Sequence, residues 1–216
     1  MSEVAINNLL RLGPANGAEA LGETERGDAV GDAKINLNIF VKIHTVTDIS
    51  QLADHNIHVF DPLLFKDSRG QITVRAEDTI SKDFPYSNYF SYKLSTSEAG
   101  VARGLHWQRT TTPIIKYIDL RKGSLYTVLV DTRTEEGIIF KWTSDIGKII
   151  KVSEHHAHGF YCTQDTEFSY ICKGKYDPRE ETTFNVFPSI CRQIKLPEPL
   201  LSHKDADYPE IEVQLR

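Results

Sequence analysis

Eight histidines are present in 216 residues, and three of them crowd into Glu154-His-His-Ala-His158. Side chains alternate along a strand, so His156 and His158 share one face and His155 takes the other. Two imidazoles at this spacing can hold a metal, and one imidazole, with an ordinary pKa of about 6.5, can move protons near neutrality. A metal would call for a glutamate a few residues on and a third histidine from another strand. No carboxylate follows His158 before Asp165, so the segment alone argues only weakly for a metal. A second candidate is Gly100-Val-Ala-Arg-Gly-Leu-His-Trp-Gln108. Arg103 and His106 are three apart, which puts them on opposite faces of a regular strand; Gly104 between them permits a bulge that would change this. The bland alternative is an edge strand with exposed polar residues. A third is Tyr170-Ile-Cys-Lys-Gly-Lys-Tyr-Asp-Pro178, which by itself is an aromatic strand ending in a proline turn. None of the three settles a function alone.

The elements that must position these residues read as short strands. Five of the thirteen glycines fall in the first 31 residues, and no aromatic precedes Phe40. A segment so poor in large apolar groups cannot offset its own ordering entropy, so residues 1–36 are expected to form an arm, with a short helix at Val4–Leu12. From Phe40 onward about a dozen β-like runs follow, from Ile39–Ile43 through Ala102–Trp107, Ile114–Leu120, His158–Cys162 and Thr166–Lys173 to Thr182–Phe184. Asp67-Ser-Arg-Gly70, Arg121-Lys-Gly123 and Glu135-Glu-Gly137 read as turns. Strands at this spacing with little helical periodicity predict a single all-β domain, a sandwich or barrel. Lys plus Arg is 25 against 30 Asp plus Glu, a net charge of -5, so no clustered excess of cation marks a nucleic-acid partner. No window approaches the roughly 18 to 20 apolar residues of a membrane span, and Met1–Gly13 has no secretory pattern. Cys162, Cys172 and Cys191 form no CxxC, so neither a disulfide framework nor a zinc cluster is expected. A cytoplasmic protein with no nucleic-acid or membrane partner is the expectation.

Taken together and in order, the motifs carry a resemblance. Asp67-Ser-Arg-Gly70, the Arg103-Gly-Leu-His106-Trp-Gln108 block, Lys116 seven residues before Gly123, and Val130-Asp-Thr-Arg133 form one series. Ala157-His-Gly-Phe160, Tyr176-Asp-Pro178 and Leu201-Ser-His-Lys-Asp205 complete it. The chain resembles the dTDP-4-dehydrorhamnose 3,5-epimerase family, cupin-fold nucleotide-sugar epimerases, from about residue 40 to 208. The resemblance implies a cupin-like jelly-roll β-sandwich or barrel with a short C-terminal appendage, the epimerase domain occupying 37–216. It implies a nucleotide-linked 4-keto-6-deoxyhexose as substrate, inverted at C3, C5 or both, within deoxysugar or polysaccharide-precursor biosynthesis. The ketone acidifies the flanking C–H bonds, and inversion needs a base on one face, an acid on the other and help for the enolate oxygen. His106 matches the base, Asp205 the carboxylate that orients it, Tyr176 the acid, and Lys116 the cation at the enolate. Arg69, Arg103, His158, Gln108, Ser91 and Lys93 match positions expected to meet the substrate. No cofactor and no metal are implied, and a homodimer is.

The chain also departs from the pattern. Ser91 and Lys93 stand where the family has substrate-binding amides, Gln71-Ile-Thr-Val74 replaces an aromatic run with a glutamate, and Val152-Ser-Glu-His-His156 replaces a Pro-Glu-Gly turn. The catalytic set is retained while the recognition set is altered, as in a member acting on another sugar, on another nucleotide or at one carbon. Two alternatives remain at this stage: a sugar-nucleotide-binding cupin without turnover, and a metal-dependent cupin using His106, His156 and His158.

Overall fold

A computed structural model describes residues 41–67, 70–74, 90–109 and 113–216. The expected arm at 1–36, with its helix at Val4–Leu12, and Arg69 lie outside these residues. In chain order the strands are β1 (Val41–Val46), β2 (His58–Phe60), β3 (Leu63–Asp67), β4 (Gly70–Val74), β5 (Phe90–Ser97), β6 (Ala102–Gln108) and β7 (Ile115–Lys122). There follow β8 (Ser124–Asp131), β9 (Glu136–Thr143), β10 (Ile149–Val152), β11 (His156–Cys162), β12 (Thr166–Lys173), β13 (Glu181–Thr183) and β14 (Val213–Leu215). Two helices, α1 (Phe187–Ile194) and α2 (His203–Ala206), lie between the last two strands, and 3-10 turns occupy Ile49–His55 and Ser144–Ile146.

The strands make a cupin-like β-sandwich. A seven-stranded sheet runs β13-β6-β11-β8-β9-β1-β14 and faces a five-stranded sheet, β2-β10-β7-β12-β5; β3 and β4 pair as a separate hairpin. Pairing is antiparallel except at β1, which lies parallel to both β9 and β14. Alternation decides which residues enter which core. On β8 and β11, Leu125, Leu129, Phe160 and Cys162 point between the sheets and pack on Ile118, Leu120 and Phe168 of the smaller sheet. Val128, Val130, Ala157 and Tyr161 point the other way, into a second core beneath Phe187, Ile190 and Cys191 of α1. Those three sit at helical spacing i, i+3, i+4, one apolar stripe. Being covered on both sides, β11 has every residue buried. Each fully buried Leu or Ile in these layers contributes about 1.5–3 kcal/mol.

Several expectations are extended or corrected. Glu135-Glu-Gly137 turns earlier than expected, since Glu135 takes the left-handed conformation (φ 60°) and Gly137 already pairs in β9 opposite Val130. The strand expected at Ile39–Ile43 runs on to Val46. The segments β3, β14, α1 and α2 were not expected. Short β14 is specified by its partner β1 rather than by its own pattern, and α1 is eight residues with Pro188 in its first turn. The C-terminal segment is therefore stitched into the large sheet through β14.

Candidate active site

Between the sheets, at one end, apolar packing gives way to a cavity. Its floor is the smaller sheet: Lys116 on β7 lies level with Val152 of β10 and Cys172 of β12, and Cys172 with Ser91 of β5. One step along, Tyr170 pairs with Lys93. The facing wall is the larger sheet, where His106 of β6 lies between His158 of β11 and Thr183 of β13, and Gln108 lies beside Glu181. His106, Lys116, Tyr176, Glu181, Lys93 and His156 all line the cavity.

The β6 bulge decides what faces it. Leu105 and Trp107 point outward with Ala102 toward α1, a sequence that alternation alone forbids. Pairing with β11 slips by one residue between His158↔His106 and Phe160↔Arg103. Gly104 sits in the slip at φ +89°, and a Cβ there would lie 2.7 Å from the His158 carbonyl oxygen. Arg103 and His106 thereby come to the same inner face. Arg103, though exposed, reaches to β5, its Nε donating to Ser97 Oγ at 3.1 Å.

His106 Nε2–H donates to Asp205 Oδ1 at 2.7 Å across 99 residues, which leaves Nδ1 as the basic nitrogen. Asp205 is 2% exposed, seated on α2, whose Ser202 N-cap accepts from the Asp205 N–H at 3.1 Å. Burial works to raise the Asp205 carboxyl, but hydrogen bonds from His106, Ser202 and the Gly104 backbone outweigh it and hold the group below the usual carboxylate range. Burial, with Lys93 and Lys204 nearby, holds the Lys116 ammonium below the usual lysine range, against the opposing pull of Cys172 and Glu181. Burial first, then Lys116 and His106, keeps His158 well below the usual imidazole range, hence neutral. The Thr127 hydroxyl donates to the Gly159 carbonyl at 3.2 Å, so its oxygen accepts from His158 Nε2–H at 3.0 Å.

Tyr176 is half-exposed at the mouth, its hydroxyl donating to Glu181 Oε2 at 2.8 Å. The Lys93 ammonium lies 5.8 Å from its ring centre and 5.7 Å from that of Tyr170. Gln108 is buried, with its amide nitrogen donating to the Lys175 carbonyl at 2.9 Å and its oxygen accepting from the Asp177 N–H at 2.9 Å. It therefore braces the backbone on both sides of Tyr176. Of the sequence-selected residues, His106, Asp205, Lys116, Tyr176, His158, Gln108, Ser91 and Lys93 are brought to one end of the sandwich, while Arg103, on the same inner face, is held by Ser97 toward the other end of β5. Glu181, Lys204 and Thr127 were missed. Glu181 lies five residues after Tyr176 and Lys204 immediately precedes Asp205, a neighbourhood that could have flagged both.

The set weighed for a metal does not converge. His106 and His158 each spend Nε2 on a protein partner, and His156 Nδ1 lies 2.7 Å from Ser153 Oγ. Among the described residues no three His, Cys, Asp or Glu side chains are placed to hold one.

Comparison with known proteins adds independent findings. The family model described as dTDP-4-dehydrorhamnose 3,5-epimerase matches residues 51–212. A dTDP-4-dehydrorhamnose 3,5-epimerase of Mycobacterium tuberculosis is 35% identical over 128 residues, 55% of this chain. The match spans 63% of that relative's length. The crystal structure of dTDP-4-dehydrorhamnose 3,5-epimerase from Elizabethkingia anophelis superposes with a TM-score of 0.60 at 25% identity, covering 72% of this chain and 91% of that one. The enzyme of the same description from Bacillus anthracis, solved with TDP and PPi bound, gives 0.59 at 26% identity, covering 72% and 94%.

Proposed function

The chain belongs to the dTDP-4-dehydrorhamnose 3,5-epimerase family, and we propose on that basis that it inverts C3, C5 or both of a nucleotide-linked 4-keto-6-deoxyhexose in deoxysugar biosynthesis. The observation that carries the reading is the His106–Asp205 pair, set in one cavity with Lys116 and Tyr176. The sugar lies between the sheets with its ketone toward Lys116. His106 Nδ1 removes the proton from the carbon beside the ketone, and Asp205 stabilises the imidazolium that forms. Electrons move onto the ketone oxygen, where the Lys116 ammonium meets the developing charge inside a half-buried site. Tyr176 then delivers its proton to the opposite face of the carbon, completing the inversion. No electrons are gained or lost overall, so the inversion needs no oxidant or reductant.

His158, neutral and fixed by Thr127, is assigned as a hydrogen-bonding wall of the sugar site. Arg103 and Arg69 are assigned to the diphosphate through planar, bidentate donors. Ser91 and Lys93 are assigned to the sugar, and their departure from the family's amides makes them the positions that set which hexose fits. A homodimer belongs to the same reading: β5 is the outer strand of its sheet and exposes Tyr92 and Leu94. So does a cytoplasmic location, which suits three buried, unpaired cysteines. Among the described residues no helix is long and apolar enough to cross a membrane.

The test is product stereochemistry. Incubation with dTDP-, GDP-, CDP- and UDP-linked 4-keto-6-deoxyglucose, chemical reduction of the ketone and NMR of the alcohols should show an inverted centre with at least one of them. Saturable binding with no inverted centre in any product would make the protein a binding module instead.

A further inference from the structure

Two charged side chains beside Tyr176 take no part in proton abstraction. Glu181 projects from β13 with its side chain only 13% exposed, and one of its oxygens, Oε2, accepts from both the Tyr176 hydroxyl and the Lys204 ammonium. Lys204, on α2, is half-exposed at its far side. A path thus runs from solvent through Lys204, gripped by Glu181, to the phenol oxygen. Resting on the epimerase reading, we propose that Lys204, held beside the phenol by Glu181, is a relay that returns a proton to Tyr176 after each inversion.

Inversion by two groups leaves the enzyme unready for the next event. His106 has gained a proton, Tyr176 has lost one, and the two must be reset before another carbon is inverted. The phenol rotates its O–H from Glu181 to the sugar carbon, the C–H bond forms, and a phenolate remains beside a carboxylate. Two adjacent anions repel, and the Lys204 ammonium is the nearest proton source. The Lys204 ammonium, which also meets the phenol directly, passes its proton to the phenolate while Glu181 stays charged and holds both groups. The neutral Lys204 amine then takes a proton from water, while the His106 imidazolium releases its own. One proton enters on one side and one leaves on the other, so charge is restored.

The resting electrostatics fit this role. Burial pushes the Tyr176 phenol up and Glu181 pushes it further, more than the hydrogen-bonded Lys204 pulls it down, so the phenol keeps its proton until substrate draws it. Burial works to raise Glu181, but Lys204, His106 and Tyr176 together hold it below the usual range, a carboxylate that stays charged and grips both donors. Burial opposes the charge on Lys204, and Glu181 more than restores it, leaving Lys204 above the usual range. Lys204 adjoins Asp205 on one helical turn, so a single element serves the base at one residue and the acid at the next.

Rapid-mixing measurements on wild type, Glu181→Gln and Lys204→Arg separate a relay from a brace. Glutamine keeps an acceptor for the phenol but loses the charge that holds Lys204 beside it, and arginine keeps the charge but does not release a proton. Both variants should complete the first inversion per site within about threefold of the wild-type rate and then turn over on the order of 10- to 100-fold more slowly, giving a burst. Wild-type turnover in Lys204→Arg would reduce Lys204 to a charge partner and overturn the relay. Equal slowing of first and later inversions in Glu181→Gln would overturn it too, leaving Glu181 to position the phenol alone. No inversion by wild type would remove the epimerase reading and the relay with it; an active wild type with no burst in either variant would remove the relay alone.

Discussion

His106 is equipped as a base because Asp205 occupies its other nitrogen, and Asp205 is charged because three donors outweigh its burial. Replacing Asp205 by Asn keeps the shape and removes the charge, so turnover should fall on the order of 100- to 10,000-fold with little change in KM. The folded pKa of Asp205 is depressed, so its contribution to stability is fully present above the unfolded carboxylate value of about 3.9 and is lost as pH falls through that value toward the folded one. Urea titrations should therefore show a gap between wild type and Asp205→Asn that is open at about pH 5 and closes in more acid solution. A gap that persists at low pH would contradict the charge argument. Lys116 carries the opposite sign: its pKa is depressed by burial, so holding its charge at neutral pH costs stability. Lys116→Met should melt higher, by about 0.5–2 kcal/mol, while losing most turnover. A variant that is both less stable and inactive would show Lys116 to be structural. His106, Lys116, Tyr176 and Asp205 were legible before the fold because their spacing resembles a known pattern. Glu181 and Lys204 were not, since a glutamate and a lysine 23 residues apart are ordinary surface residues until β13 and α2 meet.

At the scale of elements, β6 does more than carry His106. Its bulge turns an arginine and a histidine three apart onto one face, an outcome that strand alternation denies and Gly104 allows. Gly104→Ala would bring a Cβ against the His158 carbonyl at a backbone angle side chains rarely adopt. It should destabilise the fold by about 1–3 kcal/mol and depress turnover more than substrate binding, because it shifts His106 against His158. Calorimetry showing an unchanged melting temperature would contradict the bulge's role. Most strands could be read from alternation, and β8, β10 and β12 fall where expected. The elements that could not be read are those whose own pattern is short: β3, β14 and the two helices. Their place comes from partners distant in the chain, such as β1 for β14 and the large sheet's outer face for α1.

At the scale of the molecule, the sandwich divides its interior into two apolar layers and one polar end. The layers hold the sheets at fixed separation, and the polar end spends that rigidity on placing a base, an acid and a cation around one small volume. Sheet pairing brings Lys116 and His106 from different sheets into a common cavity, and α2 closes it by delivering Asp205 from the far end of the chain. An all-β class was legible because turn signals recur about every ten residues from Phe40. The location of the polar end was not, because it depends on which ends of the two sheets face each other. The central claim is that this end abstracts a proton beside a sugar ketone. The direct measurement is proton NMR in D2O with dTDP-4-keto-6-deoxyglucose, comparing wild type with His106→Asn. Deuterium entering C3, C5 or both with wild type, and neither with His106→Asn, is the predicted result. Exchange that survives loss of His106, or none with folded wild type and any of the dTDP-, GDP-, CDP- or UDP-linked 4-keto sugars, would contradict it.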